Sequence, residues 1–410
     1  MKLRIVLGIM IAAIAITCVN CNDDDDKGNN TSKVTKKQVI ENYVNIVHQS
    51  YKDSYDKAVV MQTAINAFIA APSEAGFEAA KKAWLDAREP YGQTEVYRES
   101  NGPIDTKESA SEPWGLDIEG QINAWPLDEG YIDYVLAGTE SYAGDYSGGI
   151  IADPAITINE ALLIDKNEAQ NDKSISTGWH AVEFLLWGQD NTKPADKKAG
   201  LRTYTDYTTA AHADRRKEFL QVSTDLLVKD LKSLVDTWAA NGAYRKVFLA
   251  LNEDVALKQV IKGSFFISGE ELSSERMIAP LNSEEGIDNS GQEDEHSCFS
   301  DNTHRDIYNN ALGVQNVIFG QYGSIKGASF YDLVNQTDAD AAQKLKVAAA
   351  DAISKINAIA TNDKPFDLLI IEENFTDTPK GVVTLAIDAL KEQANQISAA
   401  ASSIGINVVN

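Results

Sequence analysis

The sequence predicts an all-α protein built from two packed helical bundles. Apolar residues recur every three or four positions through several long stretches, which is the spacing of an amphipathic helix. We find no convincing run of alternating apolar and polar residues of the kind that predicts a half-buried strand. Each half of the chain has long helices followed by an acidic irregular segment. This arrangement suggests two bundles related by an internal duplication.

Length and charge limit the classes of function. The chain has 410 residues, of which 43% are hydrophobic, so it can bury a sizeable core in two or three domains. It has 37 Lys and Arg against 61 Asp and Glu, a formal net charge of −24. Such a chain repels the phosphates of nucleic acid and attracts cations. We therefore expect no nucleic-acid partner, although solubility alone also explains the charge.

The first 21 residues have the pattern of a targeting signal. Lys2 and Arg4 precede an apolar run at 5–16, which is too short to span a membrane as a helix. Cys18 and Cys21 follow, and the whole resembles a bacterial lipoprotein signal, in which the cysteine after the cleavage site carries the lipid. We predict lipidation at Cys21, which the acidic run 23–26 follows closely, with Cys18 as the alternative. The expected location is the outer membrane, surface-exposed or facing the periplasm; a secreted soluble protein is the other reading.

Residues 22–37 are polar and lack apolar periodicity, which predicts a disordered tether. Cys298 is the sole cysteine after it, so we expect no internal disulfide.

The predicted N-terminal bundle covers residues 38–195. Helical spacing extends over 39–70 and 77–98, with Pro90 as a candidate kink in the second helix. Gly and Pro are frequent over 101–153, which predicts turns and short pieces. A polar segment at 191–198 marks the predicted boundary. The C-terminal bundle, 196–410, has predicted helices at 207–240, 243–267, 338–360 and 380–401.

His180 and Glu183 are the first candidate functional residues. They stand three positions apart in an apolar stretch, 176–190, so a helix places both on one face of a buried element. A buried imidazole and carboxylate need partners. Either the two satisfy each other and the core, or together they hold a ligand. Gly178, two residues earlier, lets backbone or a ligand approach closely.

A His–Glu pair is compatible with zinc, iron or manganese, and two ligands do not distinguish these metals. The common zinc-protease pattern HExxH is absent from the chain. Taken alone, the pair is more often structural than metal-binding. A second polar segment, 293–305, contains Glu293, His296 and His304, with Asn302 or Thr303 able to cap a helix near His304. Its spacing fits no EF-hand or zinc template.

The motif Gly178-x-His180-x-x-Glu183 resembles the GxHxxE motif of the imelysin family. Five further blocks resemble the iron-regulated branch of that family in the same order, at 84–98, 101–105, 122–135, 269–277 and 293–309. GxHxxE alone is a weak pattern, whereas six blocks in order are specific. The resemblance covers about residues 39–401.

The resemblance implies an all-helical fold with two similar bundles, a site at their interface and a place in the bacterial envelope. Some members of the family are classed as metallopeptidases, and others are tied to iron uptake. His180 and Glu183 are then the expected metal ligands, for iron or zinc, with Glu183 catalytic only in a peptidase. The further candidates for a cleft are Gly178, Arg88, Glu95, Asp105, Ser273, Glu293, His296 and His304.

Three functional hypotheses follow. We favour an envelope-anchored protein that binds a metal ion or an iron-containing ligand through His180 and Glu183, with an iron-uptake transporter as partner. The second is a metallopeptidase, which needs an open metal position, a polarised water and a general base. The third is a scaffold in which the pair is structural.

Overall fold

The computed structural model describes residues 33–136, 148–287 and 290–408. The described residues from Val34 onward form one compact unit. The predicted signal peptide, Cys18, Cys21 and tether residues 22–32 lie outside the described residues. Within the described ranges, no helix is both long and apolar enough to cross a membrane.

Most of the described residues are helical and each strand has only two residues, which confirms the all-α prediction. The helices of eight or more residues are α1 Lys36–Ala70, α2 Glu74–Gly92, α7 Gly178–Trp187, α8 Ala213–Trp238, α9 Ala243–Ala250, α10 Glu253–Phe266, α12 Thr303–Phe319, α13 Phe330–Thr337, α14 Ala339–Ala360 and α16 Val382–Ser403. The shorter ones are α3 Glu119–Asn123, α4 Glu129–Ile132, α5 Gly149–Ala152, α6 Glu160–Lys166, α11 Ala279–Asn282 and α15 Phe366–Ile371.

The other regular segments are short, with one exception. Single 3₁₀ turns occur at Glu95–Tyr97, Pro194–Asp196, Tyr204–Tyr207, Gln292–Asp294 and Cys298–Ser300. A two-residue strand β1, Gln321–Tyr322, pairs antiparallel with β2, Ile325–Lys326. Strands of this length leave no alternation for the sequence to reveal. The exception is a π-helix of 12 residues, Ile267–Ile278, which links α10 to α11.

Local sequence explains where α1 and α2 begin. The Thr35 side chain accepts from the backbone N–H of Gln38, and the Gln38 side chain accepts from the backbone N–H of Thr35, a capping box. Helix α1 therefore includes the last two residues of the predicted tether, 36 and 37. Ser73 caps α2 by accepting from the backbone N–H of Gly76. Helix α2 was predicted to run to residue 98, but it ends at Gly92. This end is two residues after Pro90, which has no backbone N–H to donate within the helix.

Two other predicted helices have different bounds. The helix predicted over 207–240 begins at Ala213, after a 3₁₀ turn and His212 in the left-handed conformation. The helix predicted over 243–267 is two helices, α9 and α10. Asn252 separates them, because its side chain accepts from the backbone N–H of Asp254 and so starts a new helix.

The helices pack around one continuous set of buried apolar residues. Helix α1 packs on α2, α8 and α10, while α16 packs on α14 and the π-helix. Helix α12 contacts both groups through α2 and α14. Packing between α1 and α8 therefore crosses the predicted boundary at 195. The two-bundle division and the duplication stay predictions.

Candidate functional site

Helix α7 holds the predicted His–Glu pair, and all ten of its residues are buried. It begins at Gly178, whose φ of +81° suits glycine. A Cβ on Gly178 would stand 2.3 Å from the carbonyl oxygen of Ile122 in α3. The missing side chain therefore allows a close approach of two backbones. The helix ends before Gly188, which also has positive φ.

His180 and Glu183 are bonded to each other. Nδ1 of His180 lies 2.8 Å from Oε2 of Glu183, and both side chains are fully buried. The other carboxyl oxygen of Glu183 accepts from the backbone N–H of Ser300 at 3.0 Å and from its hydroxyl at 2.6 Å. Burial raises the pKa of Glu183 to about 8, although the Ser300 bonds oppose that shift. Burial, with His296 and Arg88 nearby, lowers the pKa of His180 well below its usual range.

The second ring nitrogen of His180 has no hydrogen-bond partner among the described residues. This atom, Nε2, is buried, as is the equally unpartnered Nε1 of Trp125. The His180 ring contacts the rings of Trp125 and His296, with centroids 4.8 Å and 4.7 Å away. Buried polar atoms without partners are uncommon, and each asks for an explanation such as a water or an ion. Together they mark the inner end of the candidate site.

His296 is surrounded by hydrogen-bond donors. Its Nδ1 lies 3.1 Å from Nη1 of Arg276 and 3.4 Å from Nη2 of Arg88, and its Nε2 lies 3.3 Å from Nδ2 of Asn123. The carboxylate of Asp306 is 3.6 Å from Nδ1. Burial, followed by the charge of Arg276, lowers the pKa of His296 to about 4. The imidazole is therefore neutral at neutral pH.

Arg88 and Asp306 form a buried ion pair beside His296. Nε of Arg88 donates to Oδ1 of Asp306 at 3.1 Å, and Nη1 donates to Oδ1 of Asn123 at 2.7 Å. Ser297 also donates to Asp306, at 2.5 Å. Burial favours the neutral acid, but Arg88 and His296 outweigh it and hold the pKa of Asp306 below its usual range. The pair fixes Asn123 and His296 in place.

The π-helix brings Glu271 and Arg276 together. Its backbone pairs residues five apart, as in the bond from the N–H of Ala279 to the carbonyl of Ser274. Glu271 and Arg276 are also five apart, and Nη2 of Arg276 donates to Oε1 of Glu271 at 2.9 Å. In an α-helix, the neighbours of a side chain lie three and four positions away instead. The π-helical spacing therefore creates this pair.

Arg276 and Arg98 join the π-helix to the N-terminal part of the chain. Arg276 donates to Oε2 of Glu95 at 2.9 Å, and Arg98 lies 3.3 Å from the same carboxylate. Burial would raise the pKa of Glu271, but Arg276 and Arg98 outweigh it and lower the pKa to about 2. Burial raises the pKa of the neighbouring Glu119 to about 7 against the opposing charge of Arg98. The ionised network thus contains one carboxyl that titrates near neutral pH.

A polar cleft of about 340 Å³ opens over this network. Its buried floor includes Asn123, Arg276 and His296, and its more exposed edge includes Glu168, Glu275 and Asp294. Trp125 lines it as well and, with His296, separates it from His180. The lining residues come from both sides of the predicted boundary at 195. A site at an interface of duplicated bundles nevertheless stays a prediction.

A resident metal centre needs several ligand atoms around one point. A catalytic zinc has three protein ligands and an open position. Within the described ranges, no three His, Cys, Asp or Glu side chains are placed to hold one metal ion. Nδ1 of His180 and both oxygens of Glu183 are already hydrogen-bonded. Nε2 of His180 is therefore the one side-chain atom of the pair that is left to ligate a metal. The pair as arranged does not fit a resident metal centre.

The other predicted residues have different positions. Arg88, Glu95 and His296 belong to the network at the cleft. Asp105 accepts from the backbone N–H of Glu99, and burial raises its pKa to about 6, opposed by Arg98. The remaining three do not line the cleft: Ser273 donates to the carbonyl of Gly269, Nδ1 of His304 contacts the carbonyl of Asp301, and Glu293 is half-buried.

Several residues of the site were not predicted: Asn123, Trp125, Glu271, Arg276, Ser300 and Asp306. All six lie in the blocks quoted above, or at their ends, so family resemblance could have found them. Periodicity could not, because most of them act through partners far away in sequence, and Glu271 and Arg276 pair at a spacing of five that an α-helix does not place together. Asp306, for example, is 218 positions from Arg88.

Comparisons with known proteins agree on one family. The Imelysin (Peptidase_M75) family profile matches residues 47–397. The chain is 26% identical over 369 residues to the iron-regulated protein A of Synechococcus elongatus, covering 87% of this chain and 83% of that protein. A crystal structure titled as a candidate iron-regulated protein A precursor, from Parabacteroides distasonis, is similar in fold. Its TM-score is 0.67 at 19% identity, covering 91% of this chain and 97% of that one. The chain described here therefore belongs to the imelysin family.

Proposed function

We propose that the chain is an envelope-anchored binding protein that takes iron, as an ion or in a complex, at the cleft beside His180 and Glu183. The observation that carries this proposal is the cleft, where carboxylates, guanidinium groups and an imidazole stand against a buried His–Glu pair. The Synechococcus relative supports the link to iron by its name. The net charge of −24 favours the approach of a cation.

The arrangement of the pair favours binding over peptide hydrolysis. A metallopeptidase needs a metal with an open position and a free general base. Both carboxyl oxygens of Glu183 are engaged, and Oε1 already accepts two bonds from Ser300. A base in that position would first have to give up contacts that are buried and short. A protein that only captures its ligand makes no such demand.

The envelope location and the transporter are parts of the same proposal. The signal-like N-terminus supports a lipid on Cys21, or on Cys18, and an outer-membrane protein that hands iron to an uptake transporter. Mass spectrometry of the mature N-terminal peptide tests the anchor. We expect a diacylglyceryl-modified cysteine at residue 21; an unmodified peptide beginning elsewhere would count against the anchor.

Iron binding is tested on the mature protein, purified from membranes in detergent. Calorimetric titration with ferrous ion in the absence of oxygen, ferric citrate and zinc compares the native protein with His180→Ala and Glu183→Gln. We expect saturable iron binding that both variants weaken at least about tenfold, a loss of about 1.4 kcal/mol. His212→Asn is the control, because His212 is exposed and Asn tolerates its positive φ.

Two results would overturn the proposal. In the first, no iron species binds the native protein saturably, or both variants bind as the native protein does. In the second, the protein cleaves a denatured polypeptide, and cleavage stops with a chelator and with Glu183→Gln. The second result would replace binding with the metallopeptidase alternative.

A further inference from the structure

The floor of the cleft has more hydrogen-bond donors than acceptors. A neutral imidazole offers one lone pair and one N–H. Both ring nitrogens of His296 face donors: two guanidinium groups at Nδ1 and the Asn123 amide nitrogen at Nε2. The Asn123 amide cannot turn to offer its oxygen, because that oxygen accepts from Arg88 at 2.7 Å. When Nδ1 accepts from Arg276 at 3.1 Å, the N–H at Nε2 faces a donor. The other tautomer offers its Nδ1–H to Asp306 at 3.6 Å, but that N–H then faces both guanidinium groups.

Trp125 adds a second donor without a partner. Its indole N–H is buried and makes no hydrogen bond among the described residues. The indole ring lines the cleft and contacts the His180 ring on its inner side. An indole nitrogen can only donate. The missing partner of Trp125 is therefore an acceptor atom, as it is for His296 in the tautomer that accepts from Arg276.

The edge of the cleft has the opposite character. Glu168, Glu275 and Asp294 line it from three separate segments, and Glu168 and Glu275 are exposed. None of the three side chains has an ion pair or hydrogen bond with another residue of the described ranges. The cleft thus presents donors at its buried floor and unpaired carboxylates at its mouth. A ligand that satisfies both carries acceptor oxygens at one end and positive charge at the other.

We propose that the cleft binds iron as a complex with a small carboxylate chelator, with chelator oxygens on His296, Asn123 and Trp125 and the metal towards Glu168, Glu275 and Asp294. This proposal rests on the proposed function and names the form of its ligand. Floor N–H groups cannot ligate a bare ion, because they have no lone pair to give. A porphyrin would need an apolar slot, whereas this cleft has a charged lining.

The test is a calorimetric titration of the mature protein with four probes: ferric citrate, citrate alone, ferrous ion without oxygen, and haemin. Trp125→Phe keeps the ring and removes the N–H. We expect it to weaken ferric citrate about tenfold, as for a hydrogen bond to a charged oxygen, and to leave ferrous ion unchanged. Trp114→Phe is the matched control, because Trp114 packs on Tyr244 outside the cleft.

Glu275→Gln tests the other end of the ligand. We expect it to weaken ferric citrate and to leave binding of citrate alone unchanged or stronger. Its control is Glu270→Gln, an exposed glutamate of the same π-helix that does not line the cleft.

The outcomes separate the two proposals. Ferrous ion or haemin binding as tightly as ferric citrate, with no effect of Trp125→Phe, overturns the chelate proposal and leaves iron binding intact. Citrate without iron binding as tightly as ferric citrate, with ferric citrate unaffected by Glu275→Gln, also overturns it, since the site would then recognise the acid alone. Absence of binding by every iron probe overturns both.

Discussion

Breaking the buried ion pair of Arg88 and Asp306 should be costly. Asp306 is fully buried, and it accepts from Arg88 Nε at 3.1 Å and from Ser297 at 2.5 Å. Asp306→Asn keeps the shape and removes the charge, so a guanidinium that is 1% exposed loses its ionic partner. Removing one member of a buried pair costs about 3–5 kcal/mol. Because Arg88 keeps its bond to Asn123, we expect the lower end, about 3 kcal/mol.

The assay is urea unfolding at pH 7, followed by far-ultraviolet circular dichroism. Asp254→Asn serves as the control, because its pair with Lys36 is largely exposed and worth less than about 1 kcal/mol. Replacing both members of the buried pair, with Arg88→Met and Asp306→Leu, should recover much of the loss, since no charge is then left unpaired. A loss for Asp306→Asn no larger than that of the control would refute the reasoning.

Three further predictions concern stability. Ser300→Ala removes one of the two donors to Oε1 of Glu183 and should lower the free energy of unfolding by about 1–3 kcal/mol; an unchanged urea midpoint would contradict it. Gly178→Ala should destabilise far more than Gly405→Ala in thermal melts, because both have φ of +81° but only Gly178 faces a backbone oxygen at 2.3 Å; equal losses would rule out the clash. Burial beside two carboxylates raises the pKa of Asp301 to about 8, so its folded form keeps a proton that the unfolded chain releases. Its contribution to stability falls as pH rises from about 4 to about 8, so the gain from Asp301→Asn should be at least about 1 kcal/mol larger at pH 8 than at pH 4; equal gains would contradict this.

Local signals explain which helices the sequence could predict. Helix α1 has a regular apolar stripe and a capping box at Thr35, so its prediction was close at both ends. The break between α9 and α10 also has a local signal, the cap at Asn252. The apolar periodicity continues across this break, so the sequence predicted one helix there instead of two. The π-helix has no such signal. Its residues suit an α-helix equally well, and its packing partners α16 and α12 come from much later in the chain.

In the candidate site, too, the sequence predicts what depends on local spacing but not what depends on distant partners. The spacing of His180 and Glu183 was sufficient to predict that they share a face, and they are bonded. The contact between His180 and His296 joins residues 116 positions apart, and nothing local indicates it. The choice between a metal centre and a hydrogen-bonded pair depended on Ser300, which occupies the carboxylate from a distant turn. Residue types were readable from the sequence, whereas the partners that determine their chemistry were not.

The π-helix connects the fold to the proposed ligand. Long π-helical segments are rare, and short ones concentrate at functional sites, which indicates that they persist where their spacing is needed. Here that spacing pairs Glu271 with Arg276 and leaves Arg276 free to reach Glu95 and His296. A regular α-helix over the same residues would separate Glu271 from Arg276. The Arg276 guanidinium could then no longer contact Glu271 while it also reaches Glu95 and His296. The least regular helix of the described chain is thus the one that the cleft most requires.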